Sequence, residues 1–158
     1  MGLFTKLFGK SEPRSEISPV VDESKDNKDL LWGRISQITS FVDSELRSEL
    51  MRADEKKWIR ATFSDFRNFH IKFRDFRVKL DKELPKLESV PLQSPMFQDY
   101  ARSMLGYLKA LSTSLKNIED QLYGEKNITE IARNIKGAIN NLDDFKGYWN
   151  TVRKHFLE

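Results

Sequence analysis

Two apolar seams run through the C-terminal half of the chain without a missed step, and they leave it little choice of fold. Phe97, Ala101, Met104, Leu108, Leu111, Leu115, Ile118 and Leu122 alternate steps of four and three residues. Ile128, Ile131, Ile135, Ala138, Leu142, Phe145, Trp149, Val152 and Phe156 repeat the pattern. Only an α-helix gathers such positions onto one stripe, and so narrow a stripe is buried by a helix lying nearly antiparallel to its neighbour. Between the seams, Gly124 suits a helix C-terminal cap, and Asn127 with Glu130 three residues on looks like a capping-box start. Asn127-Ile128-Thr129 also matches a glycosylation sequon, but its position favours the cap. The spacing therefore predicts an αα-hairpin over residues 96–157, with arms of about 40 and 46 Å.

The first half is helical too, but its phase is broken. Leu31, Ile35, Ile38, Val42, Leu46 and Leu50 form one seam; Ile59, Thr62, Phe66, Phe69, Phe73, Phe76 and Leu80 form another, with Phe63 beside it. The two do not share a register, so it must shift between about Met51 and Lys57, where no turn residue stands. If the chain folds back near Arg52–Glu55, every seam is buried within one molecule as a four-helix bundle, and a proline at Ala53 would be tolerated. If residues 30–84 run on as one long helix, the bundle has three helices and Leu31, Trp32, Ile35, Ile38, Val42 and Leu46 need a second chain, making a homodimer. Economy of burial favours the fold-back. Residues 85–95 place three prolines in eleven positions and are expected to break the helix on both sides. The expected architecture is an all-α, antiparallel helical bundle over residues 30–158, preceded by a flexible N-terminal tail.

Composition narrows the chemistry. The 158 residues contain no cysteine, which excludes disulfides, thiolate zinc sites and cysteine nucleophiles. Neither histidine follows a glutamate at the spacing of di-iron bundles, and there is no His-Glu-x-x-His helix, so no metal site is expected. No glycine-rich phosphate loop is present, and the carboxylates show no acid/base pair. No cofactor is called for, and the chain reads as non-enzymatic. No apolar run approaches the roughly 20 residues of a membrane span, and no secretory signal is evident. A cytoplasmic location follows as the default expectation.

Charge is unevenly distributed. Residues 56–79 carry eight Lys or Arg against two acids, a local excess of +6 in a chain whose net charge is +3. Arg60, Arg67 and Arg74 recur every seven residues beside the phenylalanine seam, with Arg77 and His70 on the adjoining line. Such a stripe is a candidate anion-binding site for phosphate or lipid headgroups. The five phenylalanines interleaved with it fit core spacing better than base-stacking platforms. His70 reads as a half-buried residue at the seam edge.

The most specific functional feature is the first ten residues, MGLFTKLFGK. Written as a helix, Leu3, Phe4, Leu7 and Phe8 share one face, while Lys6 and Lys10 lie on others, the layout of an interfacial membrane-binding helix. The myristoylation pattern fails at Lys6, where Ser or Thr is required. The segment resembles the amphipathic N-termini beginning Met-Gly-Leu-(Phe/Leu) of membrane-associated cytoplasmic proteins of bacteria and archaea, such as cell-division anchor proteins and the signal recognition particle receptor. That resemblance covers about ten residues, implies surface anchoring, and brings no catalytic or binding residue with it. Residues 11–29 follow as a polar, proline- and serine-containing stretch that reads as a flexible linker. Together these features predict a peripheral, membrane-associated adaptor or scaffold at the inner face of the membrane. Its expected partners are an anionic lipid surface and an unidentified protein. A nucleic-acid-binding bundle using residues 56–79 is the alternative.

Overall fold

The computed structural model describes residues 27–124 and 126–157. The first arm is helix α1 (Lys28–Phe41), a π-helical turn (Val42–Leu46) and helix α2 (Arg47–Glu55). Helices α3 (Phe63–Glu88), α4 (Pro95–Tyr123) and α5 (Ile128–Val152) follow. Short 3-10 turns stand at Trp58–Arg60 and Arg153–Phe156, and no strand occurs among the described residues. The arms alternate in direction: α3 packs on α4, α4 on α5, and the first arm closes the ring against α5 and α3.

Side-chain pairs confirm the antiparallel register. Going up the first arm, Asp43 meets Lys146 at 3.1 Å, Arg47 meets Asp143 at 2.8 Å and Asp54 meets Lys136 at 3.0 Å, so one number rises as the other falls. Burial alone would push the Asp43 carboxyl up, but hydrogen bonds from Arg47 and Lys146 outweigh it and hold the group below its ordinary value. Both C-terminal seams are buried nearly throughout, the exceptions being half-buried Ala101 and exposed Ile128 at the first turn of α5. Asn127 caps that turn, its side-chain oxygen accepting from the Glu130 N–H at 3.1 Å.

The chain does fold back, but just after the expected Arg52–Glu55, over residues 56–62. Lys56 is extended (φ −67°, ψ 137°), and α3 starts only at Phe63. Trp58 supplies what the sequence lacks in turn residues. Its ring is buried against Phe66 and Phe69, with centroids 5.5 and 5.1 Å away, and its Nε1–H donates to the Ala53 carbonyl at 2.9 Å. Thr62 then opens α3 with a reciprocal capping box: its hydroxyl accepts from the Asp65 N–H at 3.1 Å, and the Asp65 carboxylate accepts from the Thr62 N–H at 2.9 Å. Three expectations are corrected here. Ala53 lies inside α2 and is fully buried, so proline is not tolerated there. Ile59, placed on the seam by its spacing, is 81% exposed because it sits in the 3-10 turn, where the helical period does not run. Thr62 likewise leaves the seam to serve as the cap.

The phase change has a second source. Arg47 N–H reaches back five residues to the Val42 carbonyl, so the first arm widens by one residue and buries Phe41 and Val42 side by side. The Thr39 and Ser44 hydroxyls donate to carbonyls four residues earlier, at 2.8 and 2.5 Å, loosening the ladder around this turn. With the fold-back in place, Leu31, Ile35, Ile38, Val42, Leu46 and Leu50 are all fully buried within one chain, which removes the argument for a dimer.

Two boundaries differ from expectation. Helix α3 runs through Pro85 to Glu88 rather than breaking before it. A proline in the last turn forfeits one backbone bond, and burial of Leu84 and Leu87 outweighs that loss. The bundle begins at Asn27, whose side chain donates to the Pro91 carbonyl at 2.7 Å, so Lys28 and Asp29 are helical rather than linker. Residues 1–26, which include the amphipathic segment and the rest of the expected linker, lie outside the described residues.

Candidate functional site: a basic and aromatic groove

The two ends of the bundle differ in kind. Where the chain enters, Trp32, Phe97, Trp149 and Phe156 close on one another, with the Phe97–Phe156 and Trp32–Trp149 ring centroids 4.9 and 5.1 Å apart. The opposite end, among the described residues, is recessed on one side. There the first turns of α3 and the turn between α4 and α5 enclose a groove of about 380 Å³. Its floor is Phe66, Ile71 and Leu122, and its rim carries Arg67, Arg74 and Lys126. Among the described residues no carboxylate lines it. Phe63 and Tyr123 stand at its edges, each 77% exposed.

Local rules place each of these groups. The capping box at Thr62 starts α3 so that Phe63 falls in its first turn, outside the buried face. Arg67 and Arg74, two turns apart, share a face about 10.5 Å from one another along the axis. His70, between them, is fixed from across the interface. Its Nδ1 lies 3.1 Å from the Glu119 carbonyl, which only accepts, so Nδ1 carries the hydrogen. The ring also packs on Tyr123, centroids 5.4 Å apart. Lys126 donates to the Gly124 and Tyr123 carbonyls at 3.0 and 3.4 Å, capping the C-terminus of α4, and stands 5.4 Å from the centre of the Phe66 ring.

The three arginines spaced every seven residues and Arg77 on the adjoining line meet different fates. Arg77 turns inward: Glu119, only 3% exposed, holds its guanidinium with both carboxylate oxygens, and Asp81 adds a third contact at 3.3 Å. The bidentate bond to Glu119 keeps the Arg77 pKa above its ordinary value. Arg74 meets the exposed carboxylate of Asp75 at 3.3 Å. Arg60 is exposed in the 3-10 turn, off the helix that was to carry it in register. Arg67 lies in the groove, and among the described residues no carboxylate comes within 4 Å of Arg60 or Arg67. Elsewhere in the stripe, Lys56 pairs with Asp65 at 3.0 Å, Lys72 with Glu49 at 3.5 Å, and Lys79 lies over the Phe41 ring. The structure therefore brings Arg67 and Arg74 together, and sets Arg60 and Arg77 apart from them.

Sequence reasoning missed Tyr123 and Lys126, because neither belongs to a periodic pattern. The available signal was their position in the turn that the α4 and α5 seams define. Leu3, Phe4, Lys6, Leu7, Phe8 and Lys10 lie outside the described residues. Among the described residues no cluster of side chains suited to a metal ion occurs. Compared with protein families, curated proteins and solved structures, the chain matches none.

Proposed function

We propose that this protein is a non-enzymatic adaptor held peripherally at the cytoplasmic face of a membrane, with residues 1–10 as the anchor and the bundle as the platform for a protein partner. The observation that carries the reading is the N-terminal sequence: four large apolar residues on one helical face, with Lys6 and Lys10 beside them. Two features support it. No helix among the described residues is long and apolar enough to cross a membrane. Among the described residues, one continuous apolar core draws on all four arms, and the helical face of the first ten residues is not needed to account for its seams. Four half-buried apolar side chains contribute roughly 3–6 kcal/mol, two lysines near an anionic surface about 1 kcal/mol each, and ordering the segment opposes both. The anchor is accordingly weak and reversible.

Nucleic-acid binding by residues 56–79 is the weaker reading, because Lys56, Lys72, Arg74 and Arg77 already face carboxylates within the fold. The test is co-sedimentation of the full chain with phosphatidylglycerol-containing vesicles, compared with the Phe4→Glu/Leu7→Glu variant. Removing half of the apolar face lowers vesicle affinity at least tenfold. Equal pelleting of the two proteins would refute the anchor.

A further inference from the structure

The groove between Phe63 and Tyr123 combines an apolar floor, cations on the rim and two aromatic side chains left in water. Burial could have hidden either ring, as it hides Phe69 and Phe73 on the same helix. Exposed aromatic residues beside arginine are the composition of protein-binding hot spots. We propose that this groove docks an acidic amphipathic helix of a partner protein. An apolar side chain of that helix seats on Ile71 and Leu122, and two carboxylates seven residues apart pair with Arg67 and Arg74.

The geometry selects this occupant. A volume of about 380 Å³ holds one or two large side chains. Arg67 and Arg74 are separated by about 10.5 Å of helical rise, which a second helix laid alongside reproduces at the same seven-residue interval. Among the described residues the rim cations have only Asp75 as a carboxylate neighbour, and it is exposed on the same helix. Acids from outside therefore displace only the exposed Arg74–Asp75 pair, and Arg67 gives up no partner among the described residues.

The chain's own acidic stretch, residues 11–26 with five acids against two bases, is too short to reach the groove as a helix, since sixteen residues at 1.5 Å each span about 24 Å. It enters the bundle at Asn27, bonded to Pro91 at the far end. His70 stands about 30 Å from that end along α3. Val20 and Val21 are too few residues from Asn27 to span it, since seven extended residues reach about 23–25 Å. Ile17 reaches only as a fully extended strand. The docking names the partner chemistry for the adaptor reading and rests on that reading for its role alone, because binding itself needs no lipid.

A random 16-residue display library panned on the full chain in lipid-free buffer tests it, with counter-selection on the Arg67→Glu/Arg74→Glu variant. The expected winners carry Asp or Glu six to eight residues apart around Leu, Ile, Phe or Trp. Their affinity falls at least tenfold on Arg67→Glu/Arg74→Glu and on Tyr123→Ser, all at exposed positions, with the circular dichroism unchanged. Charge-reversed versions of the same peptides recover binding to the arginine double variant. No enrichment, winners without acids, or winners indifferent to the substitutions would overturn the proposal. So would binding of oligo-dT or anionic vesicles that needs Arg67 and Arg74 and that the peptides do not displace. Concentration-dependent dimerisation abolished by the double variant would overturn it as well, in favour of a second copy as occupant. Because lipid is absent, failure here leaves the vesicle result standing, and the converse also holds.

Discussion

A pair of proline substitutions four residues apart separates the fold-back from a continuous helix. Ala53 lies in α2 with its side chain fully buried, so proline there deletes the backbone bond to residue 49 and drives its ring into that turn. The cost is about 3 kcal/mol or more. Lys57 is different. Its φ is −83°, close to the proline value, and the preceding Lys56 is already extended at ψ 137°, the conformation that a following proline demands. Its N–H takes part in no hydrogen bond among the described residues. Proline at Lys57 therefore leaves stability within about 1 kcal/mol of the parent, with the gain from a stiffer unfolded chain offsetting the small φ mismatch. Urea unfolding for free energy and thermal unfolding for Tm, both followed by far-UV circular dichroism, read the two variants. For a chain of this size, each kcal/mol lost lowers Tm by about 2–4 °C, so Ala53→Pro falls by roughly 6–12 °C or more while Lys57→Pro stays close to the parent. A loss of 2 kcal/mol or more at Lys57, or tolerance at Ala53, would refute the assigned turn.

Trp58→Ala empties the plug under the turn and costs about 3–5 kcal/mol. Trp58→Phe keeps most of the packing and costs about 1 kcal/mol, since the Ala53 carbonyl retains the Lys56 N–H at 3.2 Å; equal losses in chemical denaturation would contradict this. Glu119→Ala leaves Arg77 half-buried without its main partner and destabilises by about 2–4 kcal/mol. Replacing both, as Arg77→Met/Glu119→Leu, recovers most of that loss, and a double-mutant cycle showing simple additivity would disprove the coupling. The Thr62 backbone N–H, reinforced by Lys56, holds the Asp65 carboxyl below its ordinary value. Its contribution is therefore fully present above the unfolded carboxyl pKa of about 3.9 and fades as pH falls through the lower folded value. The stability gap between the parent and Asp65→Asn should accordingly be flat above about pH 5 and narrow below pH 4 in pH-dependent unfolding. A gap that widens on acidification would reverse the assigned sign.

What the sequence determines by itself is local. The two C-terminal seams, the Asn127 cap and the hairpin they build follow from the fixed geometry of residues three and four apart, which no distant contact alters. Thr62 and Asp65, three residues apart before an apolar run, carry a local signal of the same kind, but helical spacing placed Thr62 on the seam instead and the cap was missed. The position of the first turn was not legible, because Trp58 ends α2 only by reaching Phe66 and Phe69, and that contact exists once α3 has folded back. Pro85 misled for a related reason: its local cost is real, but burial of Leu84 and Leu87 against other helices exceeds it. The candidate site divides along the same line. Heptad spacing put Arg60, Arg67 and Arg74 in one stripe with Arg77 on the adjoining line, and cross-helix partners decided which of them keep their charge for a ligand. Glu119, forty-two residues from Arg77, draws that guanidinium inward, while Tyr123 and Lys126 arrive from another turn to complete the groove around Arg67 and Arg74. Periodicity reports which face a residue occupies, and only the packed bundle determines which opposing charge or ring meets it there.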